Sequence, residues 1–146
     1  MYKRQGAGLP GLILAIFSKS KDFHVKLYEK SPVKRAFLID ISKELSINVD
    51  ILGNVYDDFV DTDYIVSRAF KKLEAIIQVS REISKKTHKL IVLKGQNAQQ
   101  DLKKAFKKEK YDYKLENSIT NKDSKIIIVD FKKWRQQYQW LIKRVV

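Results

Sequence analysis

The spacing of apolar positions switches between two periods along the chain. Residues 12–16 (Leu-Ile-Leu-Ala-Ile) form an apolar run of helical composition behind a glycine-rich stretch. Residues 22–29 (Asp-Phe-His-Val-Lys-Leu-Tyr-Glu) alternate and end on a carboxylate, which predicts a strand over 24–28. Pro32 then opens a helix with Ser31 as its N-cap. Val33, Phe37, Ile41 and Leu45, spaced by four, are its expected buried stripe. Residues 48–52 are a short β-rich run, and Tyr64-Ile65-Val66 is a buried strand after the turn Asp61-Thr62-Asp63. A helix is expected over 70–83, with Leu73, Ile76, Ile77, Val79 and Ile83 on its apolar side. Residues 89–93 (Lys-Leu-Ile-Val-Leu) read as a third strand ending at Lys94-Gly95, and residues 97–110 as a basic helix. Residues 111–119 and 125–131 flank the turn Asn121-Lys122-Asp123-Ser124 and read as an antiparallel hairpin. The tail, 132–146, carries Trp134, Tyr138, Leu141 and Val145 at helical spacing.

Strands separated by helices indicate an α/β, doubly wound, Rossmann-like sheet, to which the terminal hairpin adds an antiparallel strand. At 146 residues the chain can bury a real core. No run of 18 apolar residues occurs, so no membrane-spanning helix is expected. There is no cysteine, which removes disulfides and thiolate metal sites and fits a cytoplasmic location. The net charge of +13 is uneven: residues 102–146 hold 13 Lys/Arg against 5 Asp/Glu, a net of +8. Such a surplus favours an anionic partner such as RNA, although a lysine-rich surface alone also accounts for it.

Candidate chemistry begins at residues 6–11, Gly-Ala-Gly-Leu-Pro-Gly. Glycines at that spacing let the backbone turn tightly and come within contact of a ligand, and the following helix start aims N–H groups at it. A glycine-rich helix start with no ligand is the competing reading. Ligands of such sheets lie beyond the carboxyl ends of the strands. Glu29, 21 residues after Gly8, stands at such an end, where its carboxylate can accept hydrogen bonds from both hydroxyls of a ribose. It can also be a surface glutamate beside Lys30. Ser67-Arg68-Ala69-Phe70 follows another strand, and the planar fork of Arg68 can hold a carboxylate or phosphate or simply cap the next helix. Lys94 closes the next strand and can meet a substrate phosphate or water. His24 and His88 are far apart and give no metal site. No Ser-His-Asp or Cys-His set, HExxH, P-loop or EF-hand pattern occurs.

Taken together, Gly6-Ala7-Gly8-Leu9-Pro10-Gly11, Leu27-Tyr28-Glu29, Lys34-Arg35-Ala36-Phe37-Leu38, Ser67-Arg68-Ala69-Phe70 and Leu93-Lys94-Gly95-Gln96 resemble the small-subunit rRNA guanine-N7 methyltransferases, the glucose-inhibited division protein B family. The resemblance runs from about Gly6 to Phe131. It implies an S-adenosylmethionine-dependent enzyme that methylates a guanine N7 in 16S rRNA, free or in the 30S subunit. By position it implies Gly6, Gly8 and Leu9 on the methionine and ribose side, Glu29 on the ribose hydroxyls, and Val55 and Tyr56 at the adenine edge. Arg68 would be the cleft arginine at or near the cofactor. No catalytic base is implied, since N7 already carries a lone pair.

By comparison with the family, the N-terminal helical segment and the first strand are expected to be missing; Arg4 and Gln5 stand where Gly and Ser or Thr belong. Asn54-Val55-Tyr56 stands where Arg-x-Glu is usual. The expectation is a partial methyltransferase domain over 1–131 with the first strand missing or degenerate, followed by a basic aromatic tail, 132–146. As a truncated or split member the chain alone would bind cofactor weakly or be inactive, and a separate N-terminal fragment would complete the sheet. In the tail, Arg135, Lys143 and Arg144 lie among the aromatics and suit RNA contact, while packing on its own domain or on a membrane surface are the alternatives. Two other classes stay open: a non-catalytic basic RNA-binding module, and a fragment of a dinucleotide-binding oxidoreductase.

Overall fold

The computed structural model describes residues 8–18, 20, 22–68, 72–84, 86–107 and 111–132. Four α-helices and six strands form in these residues, in two compact units, residues 1–58 and 59–146. The first strand's expected place, Gly6, the end of the basic helix at 108–110 and the tail with Arg135, Lys143 and Arg144 fall outside the described residues.

In the first unit α1 (Gly11–Phe17) precedes β1 (Val25–Tyr28), α2 (Pro32–Glu44) and β2 (Val49–Leu52). β1 and β2 pair in parallel, Val25 with Val49 through Tyr28 with Leu52. The Ser31 side chain caps α2 by accepting from the Lys34 N–H, and Pro32 occupies the first turn, where its missing N–H costs nothing. Leu12, Leu27 and Leu38 make the buried core, with Val25, Ile41, Ile47 and Ile51 packed around them.

The stripe expected on α2 is corrected here. Val33 is 80% exposed, Phe37 53% and Leu45 48%, while Leu38 is fully buried. A helix advances 100° per residue, so a strict spacing of four drifts about 40° at each step and walks off the buried face. Ile41 packs on the core as expected, and Leu38, three residues before it, takes the buried place.

In the second unit β3 (Tyr64–Arg68), α3 (Leu73–Ile83), β4 (His88–Lys94), α4 (Ala98–Ala105), β5 (Asp112–Asn117) and β6 (Lys125–Phe131) follow in order. The sheet order is β3-β4-β6-β5. β3 runs parallel to β4, and β6 is antiparallel to both β4 and β5. The expected terminal hairpin is present, with its second strand inside and its first at the edge. Leu73, Ile76 and Ile77 of α3 and Ala98 and Leu102 of α4 bury against Leu90, Val92, Ile127, Val129 and Phe131. All five residues expected on the apolar side of α3 are buried.

His88 belongs to this core. A carbonyl can only accept, so the Lys86 carbonyl at 2.8 Å fixes the proton on Nδ1, and the Ser80 hydroxyl donates to Nε2 at 2.6 Å. Its ring lies 4.8 Å from the Phe131 ring. Burial opposes the charged form and holds the His88 pKa below its ordinary value, with the carbonyl opposing part of that effect.

Two outcomes are expected. Leu38→Ala should cost about 2–5 kcal/mol in denaturant unfolding, and Val33→Ala less than about 0.5 kcal/mol. Because the folded state binds the His88 proton more weakly than the unfolded chain, stability should be full above about pH 6.5 and fall as the pH drops below it. His88→Phe should flatten that part of the profile in thermal melts taken across pH.

Candidate cofactor site

The chain approaches α1 through Gly8, whose φ of +74° lies in the left-handed region. A Cβ there would stand 2.6 Å from Leu38 Cδ2, so both backbone and core require glycine. One turn on, a Cβ at Gly11 would collide with Leu27 Cδ2, which lets α1 lie directly against β1. The end of α1 lines a hollow with Phe23, Ile47 and Asn48, ahead of the strand starts. Gly8 and the exposed Leu9 therefore lie toward the carboxyl ends of β1 and β2.

Glu29 is fixed at the end of β1. Its N–H donates to the Leu52 carbonyl at 3.0 Å, one rung beyond the strand pairing. Its Oε1 accepts the Ser31 N–H at 2.9 Å. A carboxylate offers about four lone-pair positions, so acceptor capacity remains for a diol. Beyond β2, Asn54 organises a single 3-10 turn, Val55–Asp57, by accepting from the Tyr56 N–H and donating to Asp57 Oδ1 at 3.1 Å. Val55 is half-buried and Tyr56 exposed. The same loop is tied back to β1 at Asp58, whose Oδ2 accepts from Tyr28 Oη at 2.9 Å and Lys26 Nζ at 3.2 Å. Burial, then the bond and charge of Asp58, push the Tyr28 phenol well above its ordinary pKa.

In the second unit Arg68 ends β3, exposed and in register with Leu93 of β4. Lys94, the next residue of β4, forms an ion pair with Asp101 in the first turn of α4 at 2.8 Å. Its charge is thus already met within the fold. Among the described residues no group of three or more His, Asp or Glu can hold a metal, and no helix is long and apolar enough to cross a membrane.

Of the residues expected to bind cofactor, Gly8, Leu9, Glu29, Val55 and Tyr56 fall in the first unit and Arg68 in the second. Sequence reasoning missed Asp58 and gave Arg35 no role. Asp58 carries no local signal, since its partners lie 30 and 32 residues away.

The family model of rRNA small subunit methyltransferase G (GidB) matches residues 5–129. The chain belongs to the rRNA small subunit methyltransferase G family. Relatives in that family include the Pelagibacter ubique protein, 32% identical over 82% of this chain and 58% of its own length. The Bdellovibrio bacteriovorus protein, small subunit methyltransferase G 1, is 34% identical over 73% of this chain and 50% of its own. That of Rickettsia typhi is 32% identical over 86% and 64%. The chain therefore spans 50–64% of the length of these relatives. Among solved structures, TehB from Haemophilus influenzae aligns over 88% of this chain and 55% of its own, with TM-score 0.51 and 15% identity. A structure described under "Conversion of a Disulfide Bond into a Thioacetal Group during Echinomycin Biosynthesis" aligns over 96% of this chain and 78% of its own, with TM-score 0.58 and 13% identity. Identities this low show a shared fold and nothing of chemistry, and the α/β, Rossmann-like expectation agrees with it.

The Tyr28–Asp58 tie has a measurable sign. The folded state holds the phenol proton more tightly than the unfolded chain, so stability should be full below about pH 10 and decline as pH rises above it. Tyr28→Phe should remove that decline. Asp58→Asn should let Tyr28 ionise at lower pH, read as ultraviolet tyrosinate absorbance.

Proposed function

We propose that this chain carries the S-adenosylmethionine site of an enzyme that methylates a guanine N7 in 16S small-subunit rRNA. The observation that carries the reading is Glu29. Its carboxylate is held at the carboxyl end of a parallel strand, in one compact unit with the Gly8 turn and the Asn54–Tyr56 loop. That arrangement suits a ribose hydroxyl pair on Glu29, an adenine against Val55 and Tyr56, and close backbone approach at Gly8 and Leu9, with Gly6 assigned by sequence alone.

When bound, S-adenosylmethionine supplies an electrophilic methyl group on a cationic sulfur. Guanine N7 has its own lone pair, so this chain need not remove a proton. Its residues hold the reactants in line and balance charge, which is catalysis by proximity and orientation. Arg68 lies in the second unit and is assigned as the cofactor-side cation by the family resemblance alone. Lys94 acts on RNA only if its pair with Asp101 opens, which makes it the weaker of the two assignments. Arg135, Lys143 and Arg144 are proposed RNA contacts by sequence alone.

An oxidoreductase fragment would use Glu29 in the same way on a different cofactor, so binding separates the two. Crosslinking with labelled S-adenosylmethionine should tag the chain and be competed by S-adenosylhomocysteine but not by NAD. Glu29→Gln should weaken binding about tenfold or more, the loss expected for a charge-assisted hydrogen bond. Labelling competed by NAD, or indifferent to Glu29→Gln, would overturn the proposal.

A further inference from the structure

The segment Lys34-Arg35-Ala36-Phe37-Leu38 contains a cation that the proposed chemistry leaves unused. Arg35 lies three residues before Leu38, the fully buried residue of α2, and so shares its side of the helix, one turn nearer the N-terminus. From there its Nη1 donates to the Glu29 carbonyl at 2.9 Å and to the Lys30 carbonyl at 2.8 Å. A terminal guanidinium nitrogen has two hydrogens, and both are engaged in these bonds. The same nitrogen faces Gly53, 3.6 Å from where a Cβ would stand, so glycine leaves it room. One planar cation thus holds two consecutive carbonyls of the loop beyond β1 and faces the first residue beyond β2.

Those two loops carry Glu29 on one side and Asn54, Val55 and Tyr56 on the other. The Arg35 bonds reach only backbone on the Glu29 side, which separates its role from direct contact with a ligand. We propose that Arg35 is a positioning residue of the cofactor site, setting the spacing of the two loops and hence the affinity for the adenosine part of the cofactor. The proposal rests on the reading of the first unit as an S-adenosylmethionine site. A lysine ammonium also carries its hydrogens on one nitrogen and can meet a carbonyl here, but it lacks the planar guanidinium that faces Gly53.

The test measures binding of S-adenosylmethionine and of adenosine by wild type, Arg35→Lys, Arg35→Met, Glu29→Gln and the double variant Glu29→Gln/Arg35→Met. Arg35→Met should weaken both ligands by the same factor, about tenfold, and Arg35→Lys by less. Arg35→Lys keeps the charge and helix if Arg35→Met fails to fold. Because Arg35 acts through the Glu29 loop, its loss should cost distinctly less in the Glu29→Gln background. A purely structural arginine would lower the melting temperature without that coupling. Equal cost in both backgrounds, or unchanged affinity in folded Arg35→Met or Arg35→Lys, overturns the proposal and leaves the cofactor reading standing. Failure of the wild type to bind S-adenosylmethionine overturns both.

Discussion

The candidate site depends on one pairing, the parallel ladder of β1 and β2 carried a rung further by the Glu29 N–H on the Leu52 carbonyl. Parallel strands end at the same level, so the loops beyond them start side by side. That extra bond decides where the Glu29 carboxylate can go. Ser31 then fixes its rotamer, Arg35 its loop, and Asp58 returns the second loop to Tyr28 and Lys26. Each of these contacts is local to one compact unit, and each would lose its geometry if the register of β1 and β2 slipped.

The two units differ in how they are held. Among the described residues the second has ten buried residues in one cluster between its helices and a four-stranded sheet, with His88 buried beside them and both its ring nitrogens bonded. The first has three buried leucines. Leu38 does two things there: it fills the core and it stands where a side chain on Gly8 would fall. Core packing and the shape of the glycine turn are therefore one constraint, and Gly8 cannot be replaced without disturbing both.

Much of this was legible in the sequence, and the failures have physical causes. β1 announced itself by alternation and the strands at 64–66 and 89–93 by short apolar runs, and the apolar side of α3 was fully read because its residues follow the true helical period. Of the α2 stripe only Ile41 packs on the core, because a spacing of four drifts across a helix and apolar residues on the exposed side look the same on paper. The hairpin was expected, but not that β6 would be its inner strand. The signal was present: Ile126-Ile127-Ile128-Val129 is a continuous apolar run, whereas β5 carries Lys114 and Glu116 at the edge. Glu29 stood out as a carboxylate at a strand end. Arg35 did not, because its partners are backbone carbonyls, which every residue supplies. Lys94 read as a free cation because its partner Asp101 lies across a loop, in the next helix.

Under the proposed function this geometry serves methyl transfer to a guanine N7 of the small-subunit rRNA. The most direct measurement is incubation of the chain with 30S subunits and methyl-labelled S-adenosylmethionine, followed by identification of the labelled nucleoside. The account predicts label in N7-methylguanosine within 16S rRNA. Label on any other atom, or none, would contradict it.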